Sequence, residues 1–221
     1  LLSSLNLRQV NSAFEKLRKE RDLSPSSINR YRALLRSMLR LQLDHDQELG
    51  LDPARLRNTP EGARDRVLEA SEIETILEYV SAEIETAVAR RADSLRELEV
   101  AIRLALLTAA REGELAKLTW GDVNLRSGLV TFRDTKSGDD RTVPLTRQAV
   151  DVLKAWKESQ GRPGRADRVL PSSGKSIGRR FGRAADEAGI ADVVFHDLRR
   201  TAASHMLTAG MDARVVQSIT G

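Results

Sequence analysis

The chain contains no cysteine, which excludes disulfides and thiolate metal sites and fits an intracellular protein. Its three histidines, without cysteines beside them, do not make a zinc site, so no metal and no cofactor is expected. No run of 18 apolar residues occurs, so no transmembrane helix and no membrane partner is expected. The start, Leu1-Leu2-Ser3-Ser4-Leu5, has no basic region, no cleavage signature and no initiator Met. It is expected to be the start of a trimmed fragment. Internal repeats and low-complexity tracts are also lacking. What remains is a chain of 221 residues, 40% hydrophobic and 31% charged, the balance of a globular protein of one large or two small domains.

The net charge of +4 is unevenly spread. Residues 1–60 hold 11 Lys/Arg against 7 Asp/Glu, residues 61–110 hold 6 against 11, and residues 111–221 hold 19 against 14. Two basic ends suggest two surfaces for a polyanion, although ordinary solvated charge explains a modest excess equally well. The first basic region is helical. One helix is expected from Leu7 to Arg21, another from the capping Ser24 and Pro25 onward. In the second, Ile28, Tyr31, Leu35 and Met38 are expected to form the apolar stripe. Arg32, Arg36 and Arg40, with Arg30 beside them, fall in a segment with no acid between Asp22 and Asp44. Such a row repels itself unless a phosphate strand lies against it, or it is simply a solvated face.

Residues 50–66 contain Gly50, Pro53, Pro60 and Gly62 without periodicity, a linker signal. The expected division is a helical domain over 1–56, incomplete at its N-terminus, a linker over 57–67, and a second domain over 68–221, incomplete at its C-terminus. The second domain is expected to open on a capping box of Ser71 and Glu74. Residues 81–97 continue as helix or helical hairpin, and 98–109 form a buried apolar helix. The period then changes to strands at 129–133 and 141–145 around Gly138-Asp139-Asp140, a hairpin. Helices return near 148–156, 177–188, 198–208 and 213–219. The fold class is mainly α with a small antiparallel sheet.

Three segments carry chemistry. They are Thr108-Ala109-Ala110-Arg111-Glu112-Gly113-Glu114, then Thr135-Lys136 with Arg141-Thr142-Val143-Pro144-Leu145, then His196-Asp197-Leu198-Arg199. Phosphodiester transfer needs cations on the non-bridging oxygens, and two arginine forks, Arg111 and Arg199, suit it. A general acid must protonate the departing 5′ oxygen, and Lys136, at the hairpin, is placed to reach into a groove. His196 lies three residues before Arg199 and shares its face if a helix begins there. Glu114, three residues after Arg111, can brace the arginine or the histidine. Each alone has a plain structural reading: a helix-end charge, an exposed lysine, a satisfied histidine. Gly174-Lys175-Ser176 echoes the end of a phosphate-binding loop, but Val169 stands where the first glycine belongs.

Taken together and in order, the three segments resemble the active site of the tyrosine recombinases of the phage-integrase family. Their boxes read like T-G-x-R-x-x-E, a lysine hairpin followed by R-x-V-P-L, and H-x-L-R. The resemblance implies that Arg111, Lys136, His196 and Arg199 are catalytic and that Glu114 is the acidic accessory residue. Ala109 stands where the family often has glycine. The residues from Leu23 to Asn29 resemble the family's core-binding domain, whose helices grip DNA opposite the catalytic domain. The implied activity is site-specific recombination or integration of double-stranded DNA through a 3′-phosphotyrosyl link, as a homotetramer, in a bacterial or phage cytoplasm and often on a mobile element. The family's nucleophilic tyrosine would fall past Gly221, and neither Tyr31 nor Tyr79 matches it, so this chain as written is expected to bind DNA without cleaving it. A type IB topoisomerase and a non-catalytic DNA-binding relative are the alternative readings.

Overall fold

The computed structural model describes residues 4–43, 50–62, 64–133 and 140–221. The chain divides into two compact units, Leu1–Arg64 and Asp65–Gly221.

In the first unit, α1 spans Leu7–Arg21 and α2 spans Pro25–Leu43. Asn6 caps α1, accepting from the Gln9 amide at 3.0 Å, and Asp22 ends it in the left-handed region. Ser24 accepts from the Ser27 amide at 3.2 Å, and Pro25 is the first helical residue of α2. A small core of Val10, Leu39, Leu51 and Leu56 takes in Phe14 and Leu35.

The expected apolar stripe of α2 is out of phase. Ile28, Asn29, Arg32 and Leu39 face inward, whereas Tyr31 and Met38 are exposed. The reason is polar. Asn29 donates to the Thr59 carbonyl at 2.8 Å and accepts from the Thr59 amide at 2.8 Å. Arg32 lies 5.5 Å from the centre of the Phe14 ring and donates to the Thr59 hydroxyl. Arg36 donates to the Leu56 carbonyl. Residues 56–59, read from sequence as the end of a domain and the start of a linker, are thus fastened to α2 by side chains that hydrophobic periodicity ignores.

The second unit opens with a helical hairpin, α3 (Ala70–Thr86) and α4 (Ala89–Thr108). The start of α3 differs from the expected Ser71–Glu74 box: Glu72 accepts from the Glu69 amide at 2.9 Å, so the helix begins earlier. Arg66 donates to the same Glu72 carboxylate. A short α5 (Glu112–Lys117) follows α4. Then come β1 (Val123–Asn124), β2 (Leu129–Phe132) and β3 (Arg141–Pro144), an antiparallel sheet in sequence order with Val130 opposite Val143. The unit closes with α6 (Arg147–Ser159), α7 (Gly174–Glu187), α8 (Phe195–Thr208) and α9 (Ala213–Thr220).

Helix α4 is the centre of this unit and packs on α3, α6, α7 and α8. Its Leu98, Ile102 and Leu104 are fully buried, each contributing about 1.5–3 kcal/mol. Because α4 and α8 touch, the residue just after α4 and a residue in the first turns of α8 come together, and these carry Arg111 and Arg199.

Candidate active site

Ala109 ends α4 in the left-handed region, at φ 51°. A glycine adopts that conformation freely, and alanine adopts it at a cost of about 1 kcal/mol. The turn throws Arg111 into an extended conformation as the cap of α5. Glu114, one turn on, accepts from the Arg111 amide at 2.9 Å and from its Nη1 at 2.6 Å. Glu114 is only 7% exposed, so its charge needs these partners.

Helix α8 begins at Phe195, three residues before the expected start, so His196 and Arg199 lie one turn apart on one helix. The start is made by Asp197, fully buried, which accepts from the Val194 amide at 2.9 Å and pairs with Arg200 at 2.9 Å. Phe195 packs edge-on against Phe181 of α7. Arg199 is 9% exposed; its Nη1 donates to the Ala109 carbonyl at 2.7 Å. Nη2 of Arg199 donates to the Thr220 carbonyl, and the two arginines also meet at one atom: Nη2 of Arg111 and Nη2 of Arg199 both reach the Gly221 carbonyl oxygen, at 2.7 and 3.3 Å. Two guanidinium forks therefore converge on a single oxygen position, and such a pair can hold an anionic oxygen.

Burial, ahead of the charges of Arg111 and Arg141, pushes Arg199 down to about 10, which leaves it a cation at neutral pH. His196 has its ring exposed to the cleft. Partial burial, then the charges of Arg200 and Arg199, lower its pKa, and Asp197 opposes them. The lowered pKa favours the neutral imidazole, which can accept one proton. Glu114 thus bonds Arg111, and its other partner is Arg141.

A cleft of about 1110 Å³ runs from Arg111 and His196 across α5 to α7, where Lys117, Lys175 and Arg179 line it. The glycine of the discounted phosphate-loop echo, Gly174, and Gly178 one turn on both lie close against Glu112. A Cβ on Gly174 would meet the Glu112 carbonyl at 3.2 Å, and one on Gly178 would meet the Glu112 carboxylate at 2.6 Å. Desolvation raises the Glu112 pKa. Among the described residues, no group of three or more His, Cys, Asp or Glu is arranged to hold a metal.

Lys136 lies outside the described residues, as do Gly138 and Asp139 of the expected turn. The strands on either side are present, and Arg133 reaches Asp122 at 2.5 Å and Asp140 at 3.2 Å. In the first unit, Arg30 and Arg40 are exposed, Arg36 is half-buried, and Arg32 is 7% exposed and turned inward. The expectation of an outward row of Arg32, Arg36 and Arg40 is corrected accordingly: Thr59, Phe14 and the Leu56 carbonyl take up two of the three. Tyr79 donates to Glu187, and that bond, with burial, pushes its pKa up to about 12.

Sequence reasoning missed Arg141. A usable signal was present: in β3, Val143 faces the core, so Arg141, two residues earlier, must face it too.

In this helical domain the turn after α4 and the first turns of α8 bring two arginines to one oxygen, with a histidine on the same helix as the second. The family model described as the phage integrase family matches residues 66–221, and the chain belongs to that family. It is similar to the tyrosine recombinase XerC of Xanthomonas campestris pv. campestris, 32% identical over the whole of this chain and 66% of that protein. It is also similar to the tyrosine recombinase XerD of Listeria innocua, 32% identical over 90% of this chain and 68% of that one. The chain thus spans about two thirds of the length of these relatives. Among solved structures, a lambda integrase (75–356) dimer bound to a COC′ core site shares the fold with a TM-score of 0.77 at 20% identity, covering 100% of this chain and 80% of that one. The Tn1549 transposon integrase in complex with transposon right end DNA does so with a TM-score of 0.76 at 18% identity, covering 100% and 78%.

Proposed function

We propose that the protein is a site-specific DNA recombinase that cuts and rejoins double-stranded DNA through a phosphotyrosyl intermediate. The observation that carries this reading is the convergence of Arg111 and Arg199 on one oxygen. With a phosphate there, the two forks hold its non-bridging oxygens as charge builds on them; removing one such donor from a catalytic site typically costs about 10²–10³ in rate. A tyrosine, which in the family pattern falls after Gly221, attacks phosphorus. The bond to the 5′ oxygen breaks, and that oxygen leaves as a hydroxyl with a proton from Lys136. His196, neutral at pH 7, takes the proton of the attacking phenol. The 5′-hydroxyl of a partner strand reverses the step, so the phosphodiester energy is kept in the covalent link.

Duplex DNA is the proposed substrate, with Arg30 and Arg40 contacting its phosphates from the first unit. A homotetramer on paired sites is the proposed assembly, and a bacterial or phage cytoplasm the proposed setting. The solved lambda integrase tetramer is bound to a Holliday junction, which lends support by analogy. Among the described residues no helix is long and apolar enough to cross a membrane.

The test is to trap the covalent adduct. The protein in its full reading frame is incubated with nicked duplex substrates, and a denaturant-resistant DNA adduct on tyrosine is sought by mass spectrometry. An adduct that Arg199→Ala abolishes, with DNA affinity largely kept, supports the reading. Salt-dependent DNA binding with no adduct would make the protein a non-catalytic relative. Adducts and relaxation of supercoils without pairing of two sites would make it a topoisomerase.

A further inference from the structure

Arg141 opens β3 and is 8% exposed. Its guanidinium lies 4.9 Å from the centre of the Phe132 ring, and its Nη2 donates to Glu114 Oε2 at 2.5 Å. Among the described residues, its Nε and Nη1 are buried without a hydrogen-bond partner. Burial lowers its pKa, Glu114 opposes that, and Arg111 adds to it. A buried guanidinium with two unsatisfied nitrogens is an expensive way to cover a phenyl ring, and an apolar side chain of similar length would cover it without that cost.

The carboxylate that Arg141 holds is the one that holds Arg111. Glu114 Oε2 accepts from both Arg141 Nη2 and the Arg111 amide, and Oε1 accepts from Arg111 Nη1. Arg141 also lies beside the point where the arginine pair meets: a Cβ on Gly221 would be 3.4 Å from its Cδ and 3.8 Å from Arg111 Nη1. Two cations, Arg111 and Arg141, thus share one buried anion, and that anion fixes the orientation of Arg111.

We propose that Arg141 is a positioning residue of the phosphate site: through Glu114 it sets the Arg111 guanidinium at the point that Arg199 also reaches, and it adds a third positive charge behind that point. The proposal rests on the reading of Arg111 and Arg199 as a phosphate clamp. It also gives β3, which follows the segment bearing Lys136, a direct tie to α5.

The test uses the whole chain with ¹⁵N-labelled arginine. The Nε–H signals of Arg111 and Arg199 are followed as inorganic phosphate is added. In the unaltered protein both signals follow one binding curve. In Arg141→Met, phosphate binds about tenfold more weakly, the scale of one charge-assisted hydrogen bond, and the Arg111 signal departs from the Arg199 curve. Arg141→Lys, which keeps a cation for Glu114, recovers most of the loss. If Arg141→Met leaves both signals on the original curve, or if Arg141→Lys is no better than Arg141→Met, the proposal is overturned and Arg141 is packing. Where Arg141→Met does not fold, Arg141→Gln is read by the same criteria. An unaltered protein in which phosphate moves neither signal overturns the arginine clamp itself, and this proposal with it.

Discussion

Glu114 accepts three hydrogen bonds from two arginines and is almost wholly buried. Removing it leaves two facing cations with no anion between them, which typically costs about 3–5 kcal/mol. Glu114→Ala is therefore expected to lower stability by that amount in urea unfolding, whereas the exposed Lys16→Ala, in an i,i+4 surface pair, changes it by under about 0.5 kcal/mol. His196 gives a second prediction. Its folded pKa lies below the ordinary value near 6.5, so between the two the unfolded chain binds more protons. Stability then rises with pH across that window and is flat above it, as far as this residue is concerned. Unfolding midpoints from pH 5 to 7.5 should show the slope, and His196→Asn should flatten it. Arg111, Glu114, His196 and Arg199 were legible in the sequence because each sits in a box with fixed neighbours. Arg141 was in plain view in R-x-V-P-L, but nothing in that string says that its fork closes on a glutamate 27 positions earlier.

Helices and strands were legible wherever apolar residues decide their facing. The cores of α4 and α6 and the β2–β3 pair follow the pattern directly. The pattern fails where polar groups decide. On α2 an asparagine and an arginine take the inward positions, and the stripe shifts away from Tyr31 and Met38. The starts of α3 and α8 are made by acids three residues inside the helix, with no serine or threonine at the cap to mark them. β1 is two residues long, too short for any period. Arg32→Ala should destabilise the first unit by about 2 kcal/mol through lost packing on Phe14 and a lost bond to Thr59, while Arg40→Ala should change it by under about 0.5 kcal/mol. Equal effects in urea unfolding would mean that Arg32 is not held inward. On α7, Gly178→Ala places its methyl against the movable end of Glu112. Glu112 is expected to swing away, and the better helix former to raise stability by about 0.5–1 kcal/mol, read as a higher melting temperature.

For the molecule as a whole, the net charge of +4 understates the basic character of the surface that would meet a phosphate strand. If Arg30 and Arg40 each hold one phosphate, replacing both with alanine should lessen the slope of log affinity against log salt by about 1.8, in fluorescence anisotropy with duplex DNA. An unchanged slope would leave them as solvated charge. The packing of α4 on α8 also decides when the second unit can close. The amide of Leu68, at the entrance to the second unit, donates to the hydroxyl of Thr201 on α8 at 2.9 Å. These residues are 133 positions apart. At a synthesis rate of about 5–20 residues per second, roughly 7–27 seconds separate their arrival. During that interval α4 is made but its partner α8 is not, so its apolar flank waits uncovered. The first unit, whose contacts close within residues 1–64, can fold in the meantime. The arginine pair therefore cannot assemble before α8 has left the ribosome.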